Sequence, residues 1–441
     1  MGETDGLFGY PAEAIDPSSP IPMYLLPQGC GVGRDGGLWM RGQKVSDLVK
    51  EFGSPLFIYD EEQIRARARE LKTHFGNDVA YASKAFLCKA MARLVSEEGL
   101  HIDVASGGEL AVALSSGFLP ERIVMHGHNK SVAELEAAIS AGVGRIVIDS
   151  FNEIDRLEKL VSKDDPVKVW IRVTPGVEAH THEFVMTGQD DSKFGFGLVS
   201  GDAKLALERL RVSEKLKLVG IHAHIGSQIF ALESFMKEVE MLAPFFASAE
   251  VEELNLGGGL GVPYLAGEPI IEFGDWAASL KESARLAGIP STARIIVEPG
   301  RSLVGPTAIT VYEVGTIKEI PGIRTYVSVD GGMSDNPRPV LYDSGYEIFA
   351  VENVSARRDR PVTIVGKHCE SGDVLVRDGQ LPSSTKVGDL IATPVTGAYG
   401  YSMASNYNKV GRPAVVFVNN QGYRPVLRRE TVSDMLALDI E

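Results

Sequence analysis

Residues 79–126 read VAYASKAFLCKAMARLVSEEGLHIDVASGGELAVALSSGFLPERIVMH. Short apolar runs of strand length occur at Val79–Ala82, Ile102–Ala105 and Ile123–His126. Between the first two runs, Leu87–Gly99 carries apolar residues at the spacing of an amphipathic helix. Strands that alternate with helices, without consecutive hairpins, predict a parallel sheet covered by helices.

The same alternation continues on both sides of this stretch. The further predicted strands are Leu56–Tyr59, Arg145–Ile148, Lys168–Val173, Leu218–His222, Glu253–Leu256 and Arg294–Val297. Helical periodicity predicts helices over Glu61–His74, Ser131–Ala141, Phe151–Val161, Ala203–Arg211, Glu233–Ala249 and Asp275–Ala287. Eight or nine such units within about 250 residues favour an α/β fold of the (β/α)8 TIM-like barrel type. A doubly wound open sheet is the alternative.

The pattern changes after Arg301, where helical periodicity gives way to short alternating runs. We therefore predict three regions: residues 46–302 as the barrel, 303–441 as a mainly β, Greek-key-like domain, and 1–45 as a segment that lends strands to that domain. The lent strands would be Met23–Leu26 and Gly37–Arg41. The runs of the β domain are Thr307–Val314, Thr325–Val329, Val362–Val365, Val374–Val376, Leu390–Thr393 and Ala414–Asn419.

Composition narrows the class of protein. The 441 residues contain 44 Lys and Arg against 59 Asp and Glu, a net charge of −15, which disfavours binding to nucleic acids or anionic membranes. No apolar run approaches the 18 or more residues of a membrane helix, and the first 20 residues lack the features of a signal peptide. Three cysteines without a CxxC pair argue against a disulfide framework or a thiolate zinc site. These features predict a soluble cytoplasmic enzyme without a metal.

Four motifs follow predicted barrel strands. Lys84, in YASKA, is placed where α/β barrels build their sites, and a partly desolvated lysine is a good nucleophile. The HAHIGSQ motif holds His222 and His224, which share one strand face, but no third metal ligand is evident nearby. The glycines of NLGGGLG suit a phosphate nest, although a tight turn would look the same. The EPGR motif places a carboxylate three residues before a guanidinium.

A fifth set lies in the predicted β domain. It comprises Arg338 and Tyr342 in a turn-rich segment, the thiol of Cys369 beside the carboxylate of Glu370, and Tyr399 in GAYGY. Residues Thr174–Phe196 have neither helical nor strand periodicity, and so long a connection suggests an active-site loop or a solvated excursion.

Taken in order, YASKA, HIGSQ, NLGGGLG, EPGR, CESGD and GAYGY resemble the alanine-racemase-fold (fold type III) decarboxylases that use pyridoxal 5′-phosphate (PLP). The resemblance implies that Lys84 holds the cofactor covalently, that His224 stacks on its ring, and that Glu298 faces its pyridine nitrogen. A carboxylate there keeps the ring protonated and a better electron sink. The remaining cofactor contacts implied by the resemblance are Ser227, Gly257, Gly258, Gly259, Gly300, Arg301 and Tyr399.

Within this group the chain is similar to the diaminopimelate decarboxylase family, which implies conversion of meso-2,6-diaminopimelate to L-lysine and CO2 in lysine biosynthesis. The distal carboxylate of that substrate needs fixed cations, which Arg301 and Arg338 supply with help from Tyr342. Glu370 suits the distal ammonium, Cys369 would donate the proton after CO2 leaves, and Tyr399 lies near the substrate. The resemblance also implies a homodimer in which the Cys369–Glu370 segment completes the partner's site.

Three other interpretations stay open at this point. The chain could be an ornithine, arginine or carboxynorspermidine type of decarboxylase, whose diamine substrates have no distal carboxylate. It could be a racemase of the same fold, although that reaction needs a second acid–base group where this chain has Cys369. It could also be a non-catalytic PLP-binding protein, but these are single barrels and lack the residues found here after 330.

Overall fold

The computed structural model describes residues 16–176 and 192–440. The chain divides into two compact units. The barrel unit holds Arg65–Gly261, apart from the undescribed stretch, and Ile271–Leu303. The β unit holds the described residues up to Ile64, Val262–Ile270 and those from Val304 onward. The sequence pattern had placed the first boundary at 45/46, earlier than the division at 64/65.

The barrel unit is built on eight parallel strands that are neighbours in chain order. They are β1 (Ala80–Ala82), β2 (His101–Val104), β3 (Ile123–Met125), β4 (Arg145–Ile148), β5 (Val167–Thr174), β6 (Leu216–His222), β7 (Glu253–Asn255) and β8 (Arg294–Ile296). Beyond the ends of β1 and β8, Val79 and Val297 form a parallel bridge, and the Ala80 amide donates to the Val297 carbonyl at 2.9 Å. This bridge joins the last strand to the first. The predicted barrel is confirmed, and the open doubly wound sheet is excluded.

Helix Glu61–Phe75 precedes β1 and begins in the β unit. The helices that follow the barrel strands are Lys89–Glu97, Gly107–Ser115, Val132–Ala141, Phe151–Leu160, Asp202–Arg211, Leu232–Ala249, Phe273–Leu286 and the short Arg301–Val304. The sequence pattern missed Gly107–Ser115, because GGELAVALS is apolar on nearly every side and has weak periodicity. Its start is nevertheless encoded locally, since the Ser106 hydroxyl accepts from the Glu109 amide at 3.2 Å.

The β unit contains a mixed sheet of nine strands, which confirms the predicted mainly β second domain. Its main path runs through Val374–Leu381, Arg360–Val365, Arg324–Val329, Ala308–Ile320, Leu56–Asp60, Ala414–Asn419 and Gly422–Leu427. Leu390–Pro394 pairs with Ala308–Ile320, and Phe349–Ala350 pairs with Leu390–Pro394. The helices of the β unit are Val45–Phe52, Arg338–Tyr342 and Val432–Leu436.

The strand Leu56–Asp60 corrects one prediction. We expected it to open the barrel, but it pairs antiparallel with Ala308–Ile320 and parallel with Ala414–Asn419. All five of its residues are buried. A continuous apolar run is typical of any strand covered on both faces, so the pattern could not tell which sheet it joins.

The N-terminal segment is also partly different from expectation. Met23–Leu25 forms a 3-10 turn rather than the predicted strand. The predicted strand at Gly37–Arg41 is present as Leu38–Met40, in a separate three-stranded sheet with Cys30–Val32 and Gln43–Lys44. Among the helices of the described ranges, none combines the length and the apolar character needed to cross a membrane.

Candidate active site

Parallel strands of a barrel end at one face, so side chains that follow different strands meet there. Lys84 follows β1, Asp103 lies on β2, His126 follows β3, and Glu298 follows β8. His222 ends β6 and Asn255 ends β7. Apart from Lys84, these side chains are buried in the barrel unit.

Lys84 lies in a 3-10 turn, Ser83–Ala85, directly after β1. Its side chain is exposed. Its positive charge favours the ionised form of Asp103 and the neutral form of His224, so the ammonium lies within electrostatic reach of these two groups. The turn at Gly300 approaches the same strand end, since a Cβ on Gly300 would lie 3.0 Å from the Ala82 Cβ. The backbone thus brings the EPGR motif beside the lysine.

Glu298 is the most heavily hydrogen-bonded acid at this face. Its Oε1 accepts from His126 Nε2 at 2.9 Å and from Asn255 Nδ2 at 2.7 Å. Its Oε2 accepts from His222 Nε2 at 3.2 Å. The Nδ1 atom of His222 has no hydrogen-bond partner among the described residues, which fits a neutral ring with its proton on Nε2.

Electrostatics keeps this acid ionised. Burial opposes the charge on Glu298, but His126 and His222 outweigh it, so the pKa of the Glu298 carboxyl lies well below its usual range. Burial also opposes protonation of His126, yet the Asp103 and Glu298 carboxylates outweigh it and raise the His126 pKa. For His222 burial prevails and lowers the pKa to about 4. The arrangement is a buried carboxylate held between two imidazoles, one whose pKa is raised and one whose pKa is lowered.

Asp103 and Arg172 extend the charged cluster. Burial raises the pKa of Asp103 to about 6, against the opposing effect of His126. Arg172, on β5, pairs with Asp149 at 3.4 Å, and its guanidinium lies 4.3 Å from the centroid of the Phe194 ring. Most of the predicted Thr174–Phe196 loop lies outside the described residues.

The glycine run after β7 forms a crowded backbone turn. A Cβ on Gly257 would lie 2.7 Å from the Ala223 carbonyl, one on Gly258 would lie 2.3 Å from the Glu298 carbonyl, and one on Gly259 would lie 2.4 Å from the Gly226 carbonyl. Gly257 and Gly259 also have positive φ values of 63° and 106°. Only glycine fits these three positions. The Gly257 amide already donates to Asn255 Oδ1 at 2.8 Å, so the amides of Gly258 and Gly259 are the donors in this turn that are suited to an anion.

Arg301 and Ser227 lie next to each other at this end of the barrel unit. The Arg301 Nη2 donates to the Ser227 hydroxyl at 3.1 Å, and both side chains are at least partly buried. His224 is partly buried. Desolvation together with the charges of Lys84 and Arg172 holds its pKa well below the usual range. A neutral imidazole in this position presents a flat, uncharged surface.

In the β unit, Arg338 opens the short helix Arg338–Tyr342 and is 3% exposed. Among the described residues it has no acidic partner, and its Nε lacks a hydrogen-bond partner. Tyr342, at the other end of the helix, is half-buried. A buried guanidinium without an anion is costly, so this site is suited to an anionic ligand.

The loop that carries Cys369 is anchored through His368. The His368 ring contacts Ser334 Oγ at 2.7 Å and Asn408 Oδ1 at 3.1 Å, and its amide donates to Asp373 at 2.9 Å. Cys369 and Glu370 themselves are exposed. Tyr399 is half-buried and has a positive φ of 59°. The structure therefore holds the thiol and the adjacent carboxylate at the protein surface on a fixed loop.

Comparisons with known proteins show the family to which the chain belongs. Residues 61–305 match the family described as pyridoxal-dependent decarboxylase, pyridoxal binding domain. Diaminopimelate decarboxylase of Mycobacterium tuberculosis is 47% identical over 426 residues, covering 92% of this chain and 95% of that protein. The Bacillus subtilis enzyme is 46% identical over 422 residues, with the same coverage. The chain belongs to the diaminopimelate decarboxylase family.

A solved structure extends the likeness to three dimensions. Diaminopimelate decarboxylase from M. jannaschii in complex with L-lysine aligns with a TM-score of 0.87 at 33% identity, covering 94% of this chain and 98% of that one. The predicted family and its class, PLP-dependent decarboxylases, are confirmed. A lysine/ornithine decarboxylase from Vibrio vulnificus, at 23% identity and a TM-score of 0.73, shares the fold.

The described residues fit the cofactor that this family uses. A carboxylate has about four acceptor positions, and Glu298 fills three with His126, His222 and Asn255, which leaves room for one further donor such as a protonated ring nitrogen. The glycine turn, with Ser227 and Arg301 in the same unit, supplies donors for a phosphate.

The same cluster has the composition of a metal site, because ligand atoms of His126, His222 and Glu298 lie within 4.8 Å of one another. The sequence pointed to His222 and His224 as the pair to consider, whereas the structure groups His222 with His126. In the described arrangement the ligand atoms hydrogen-bond to one another, and Asn255 adds a fourth contact. These hydrogen bonds indicate that the two histidines hold the Glu298 carboxylate in place rather than bind a metal.

Sequence reasoning missed several residues of this site: Asp103, His126, Arg172, Asn255 and the tyrosines around Arg338, described below. A signal existed for the first four, because each is a polar residue at or near the carboxyl end of a predicted strand. The hydrogen bonds of His126 and Asn255 to Glu298, however, span 172 and 43 residues of sequence and become visible only in the folded chain.

Proposed function

We propose that this protein catalyses the PLP-dependent decarboxylation of meso-2,6-diaminopimelate to L-lysine and CO2. Membership of the family supports the substrate and the reaction. The observation that carries the cofactor is the buried, ionised Glu298 with one acceptor position left, in the same barrel unit as Lys84 and the glycine turn.

Several residues of the site hold the cofactor. Lys84 binds it covalently through its amine, and Glu298 holds a proton at the ring nitrogen. His224 stacks on the ring, and Tyr399 of the β unit contacts cofactor and substrate. When bound, PLP supplies the electron sink for the electron pair that CO2 leaves behind. The phosphate contacts are Ser227, Gly257, Gly258, Gly259, Gly300 and Arg301.

The substrate is recognised by its charges. Arg338, a buried cation without an acidic partner among the described residues, binds the distal carboxylate, with Tyr342 and Arg301 assisting. Glu370 binds the distal ammonium. The departing carboxylate must not be clamped by a strong cation, since CO2 is neutral. After CO2 leaves, the Cys369 thiol donates a proton to the carbon that carried it.

We further propose a homodimer in which the exposed Cys369 and Glu370 of one subunit complete the site of the other. Lys84→Ala and Cys369→Ala variants would each be inactive as homodimers. On mixing, each heterodimer regains one intact site, so activity should rise toward a quarter of wild type. No recovery after subunit exchange would contradict the shared site. Composition and resemblance also support a cytoplasmic location.

The decisive experiment is a substrate panel assayed for CO2. Release is expected with meso-diaminopimelate and not with L-ornithine or L-lysine; a preference for ornithine would favour the alternative decarboxylase class. Borohydride reduction and peptide mapping should find the cofactor on Lys84. Lys84→Ala should abolish the cofactor absorbance, whereas the exposed Lys89→Ala, five residues away, should retain it. An adduct on another lysine, or none, would overturn the assignment.

A further inference from the structure

Arg338 lies beside two tyrosine rings of the β unit that pack against each other. Its Cζ is 4.1 Å from the centroid of the Tyr264 ring and 5.3 Å from that of Tyr346. The two rings pack edge to face, with centroids 5.1 Å apart and planes at 82°. Both tyrosines are 3% exposed, like Arg338 itself. We call this arrangement the tyrosine clamp.

Hydrogen bonds fix the rotation of the guanidinium within the clamp. Nη1 of Arg338 donates to the Tyr346 hydroxyl, and Nη2 donates to Ser344 Oγ at 3.1 Å. The Nε atom is buried without a partner among the described residues. A long arginine side chain loses much rotamer freedom here, and the ring faces and the hydroxyl together hold its plane.

The charge of the clamp is unbalanced. The described residues place two aromatic faces, two hydroxyls and no carboxylate against the guanidinium. Two neutral hydroxyls use only two of its five N–H donors. A planar cation with donors to spare is complementary to a carboxylate, which can accept two parallel hydrogen bonds.

We propose that Tyr264 and Tyr346 are positioning residues that orient Arg338 and thereby set the preference for ligands with a distal carboxylate over the corresponding diamines. This inference rests on the proposed role of Arg338. A bound diamine leaves the oriented guanidinium buried without an anion, whereas a ligand carboxylate accepts its hydrogen bonds. The fixed orientation of Arg338 therefore increases the difference in affinity between the two kinds of ligand. A mobile guanidinium would discriminate less.

The test compares two ligands of equal chain length. L-lysine carries the carboxylate that remains at the distal end of the substrate, and pentane-1,5-diamine lacks it. Dissociation constants on the holoenzyme are measured from the change in the cofactor absorbance. Tyr264→Leu removes one ring face, so the dissociation constant of L-lysine should rise about tenfold while that of pentane-1,5-diamine stays within twofold of wild type. Tyr264→Phe keeps the face and should keep the wild-type affinity for L-lysine.

Tyr346→Phe keeps the ring and removes only the hydroxyl that accepts a hydrogen bond from Arg338 Nη1. It should raise the dissociation constant of L-lysine about fivefold. It should also raise KM for meso-diaminopimelate while kcat stays within threefold of wild type. Tyr423→Phe is the matched control, because its hydroxyl bonds to Glu51 at 2.6 Å at an exposed position. It should change neither ligand's affinity. The two Phe variants keep the test valid if Tyr264→Leu fails to fold.

The outcomes separate the clamp from the function on which it rests. If Arg338→Gln weakens L-lysine but the clamp variants bind it like wild type, the clamp inference is wrong and the role of Arg338 stands. Equal weakening of L-lysine and pentane-1,5-diamine by the clamp variants would also overturn it, since that is the effect of a merely structural role. If Arg338→Gln binds L-lysine normally, the proposed role of Arg338 itself fails.

Discussion

Gly258→Ala tests whether the glycine turn sets the position of Glu298. A Cβ at residue 258 would lie 2.3 Å from the Glu298 carbonyl oxygen, whereas Cβ atoms essentially never approach another atom within 3.0 Å. The two backbones must therefore separate by at least 0.7 Å. The obstacle is backbone, so no side-chain rotation relieves it. The Glu298 amide also donates to the Gly257 carbonyl at 2.7 Å, which couples the same residues.

The expected effect follows from that displacement. Misplacement by roughly 1 Å can reduce turnover by about 10²-fold, and overpacking of a tight site costs about 1–3 kcal/mol of stability. We expect Gly258→Ala to lower kcat for CO2 release by about 10²-fold and to weaken the binding of PLP. The assays are CO2 release and titration of the apoprotein with PLP, followed by absorbance.

Gly108→Ala is the control for the loss of a glycine as such. Its Cβ would meet no atom closer than Ser106 Oγ at 3.8 Å, and it lies within the helix Gly107–Ser115. This variant should keep PLP affinity and turnover within twofold of wild type. The reasoning is refuted if Gly258→Ala matches Gly108→Ala in both measurements.

Three further outcomes are expected. Lys130 and Glu153 form a buried ion pair at 2.6 Å, with side chains 0% and 1% exposed, so Lys130→Met should destabilise the protein by about 3–5 kcal/mol in urea unfolding. Adding Glu153→Gln should recover most of that loss; equal stability of the single and double variants would contradict the pairing. Burial raises the pKa of Asp335 to about 7 from 3.8, despite a hydrogen bond from Tyr312, so this group's contribution to stability is full below about pH 4 and is lost as the pH rises to 7. Asp335→Asn should flatten that part of the profile of unfolding free energy against pH, and an unchanged slope would count against it. Cys369→Ala should lower kcat about 10²-fold or more with unaltered PLP affinity, and wild-type turnover would remove the thiol from the mechanism.

The parts of the site that sequence reasoning identified are local. YASKA, the glycine run and EPGR each place a chemically distinctive residue within a few positions of a predicted strand end. The strand itself directs that residue to one face of the barrel. This is why Lys84, Glu298 and Arg301 could be singled out before any contact was known.

The residues that were missed depend on contacts between distant segments. His126 and Glu298 are 172 residues apart, and Tyr264 approaches Arg338 from a short stretch, Val262–Ile270, that interrupts the barrel unit in sequence. Neither Tyr264 nor Tyr346, the second tyrosine beside Arg338, lies in a recognisable motif. Their importance follows from burial beside a cation, and burial is a property of the folded chain.

The sequence by itself determined the alternation of strands and helices, the later change to short β runs, and the motifs at the strand ends, because periodicity and turn chemistry act over a few residues. Tertiary structure alone decided that Leu56–Asp60 joins the β unit and that the barrel closes between Val79 and Val297. It alone decided which histidines hold Glu298. These outcomes depend on which buried surfaces and hydrogen-bonding groups meet across the chain, and many pairings are compatible with the same local pattern.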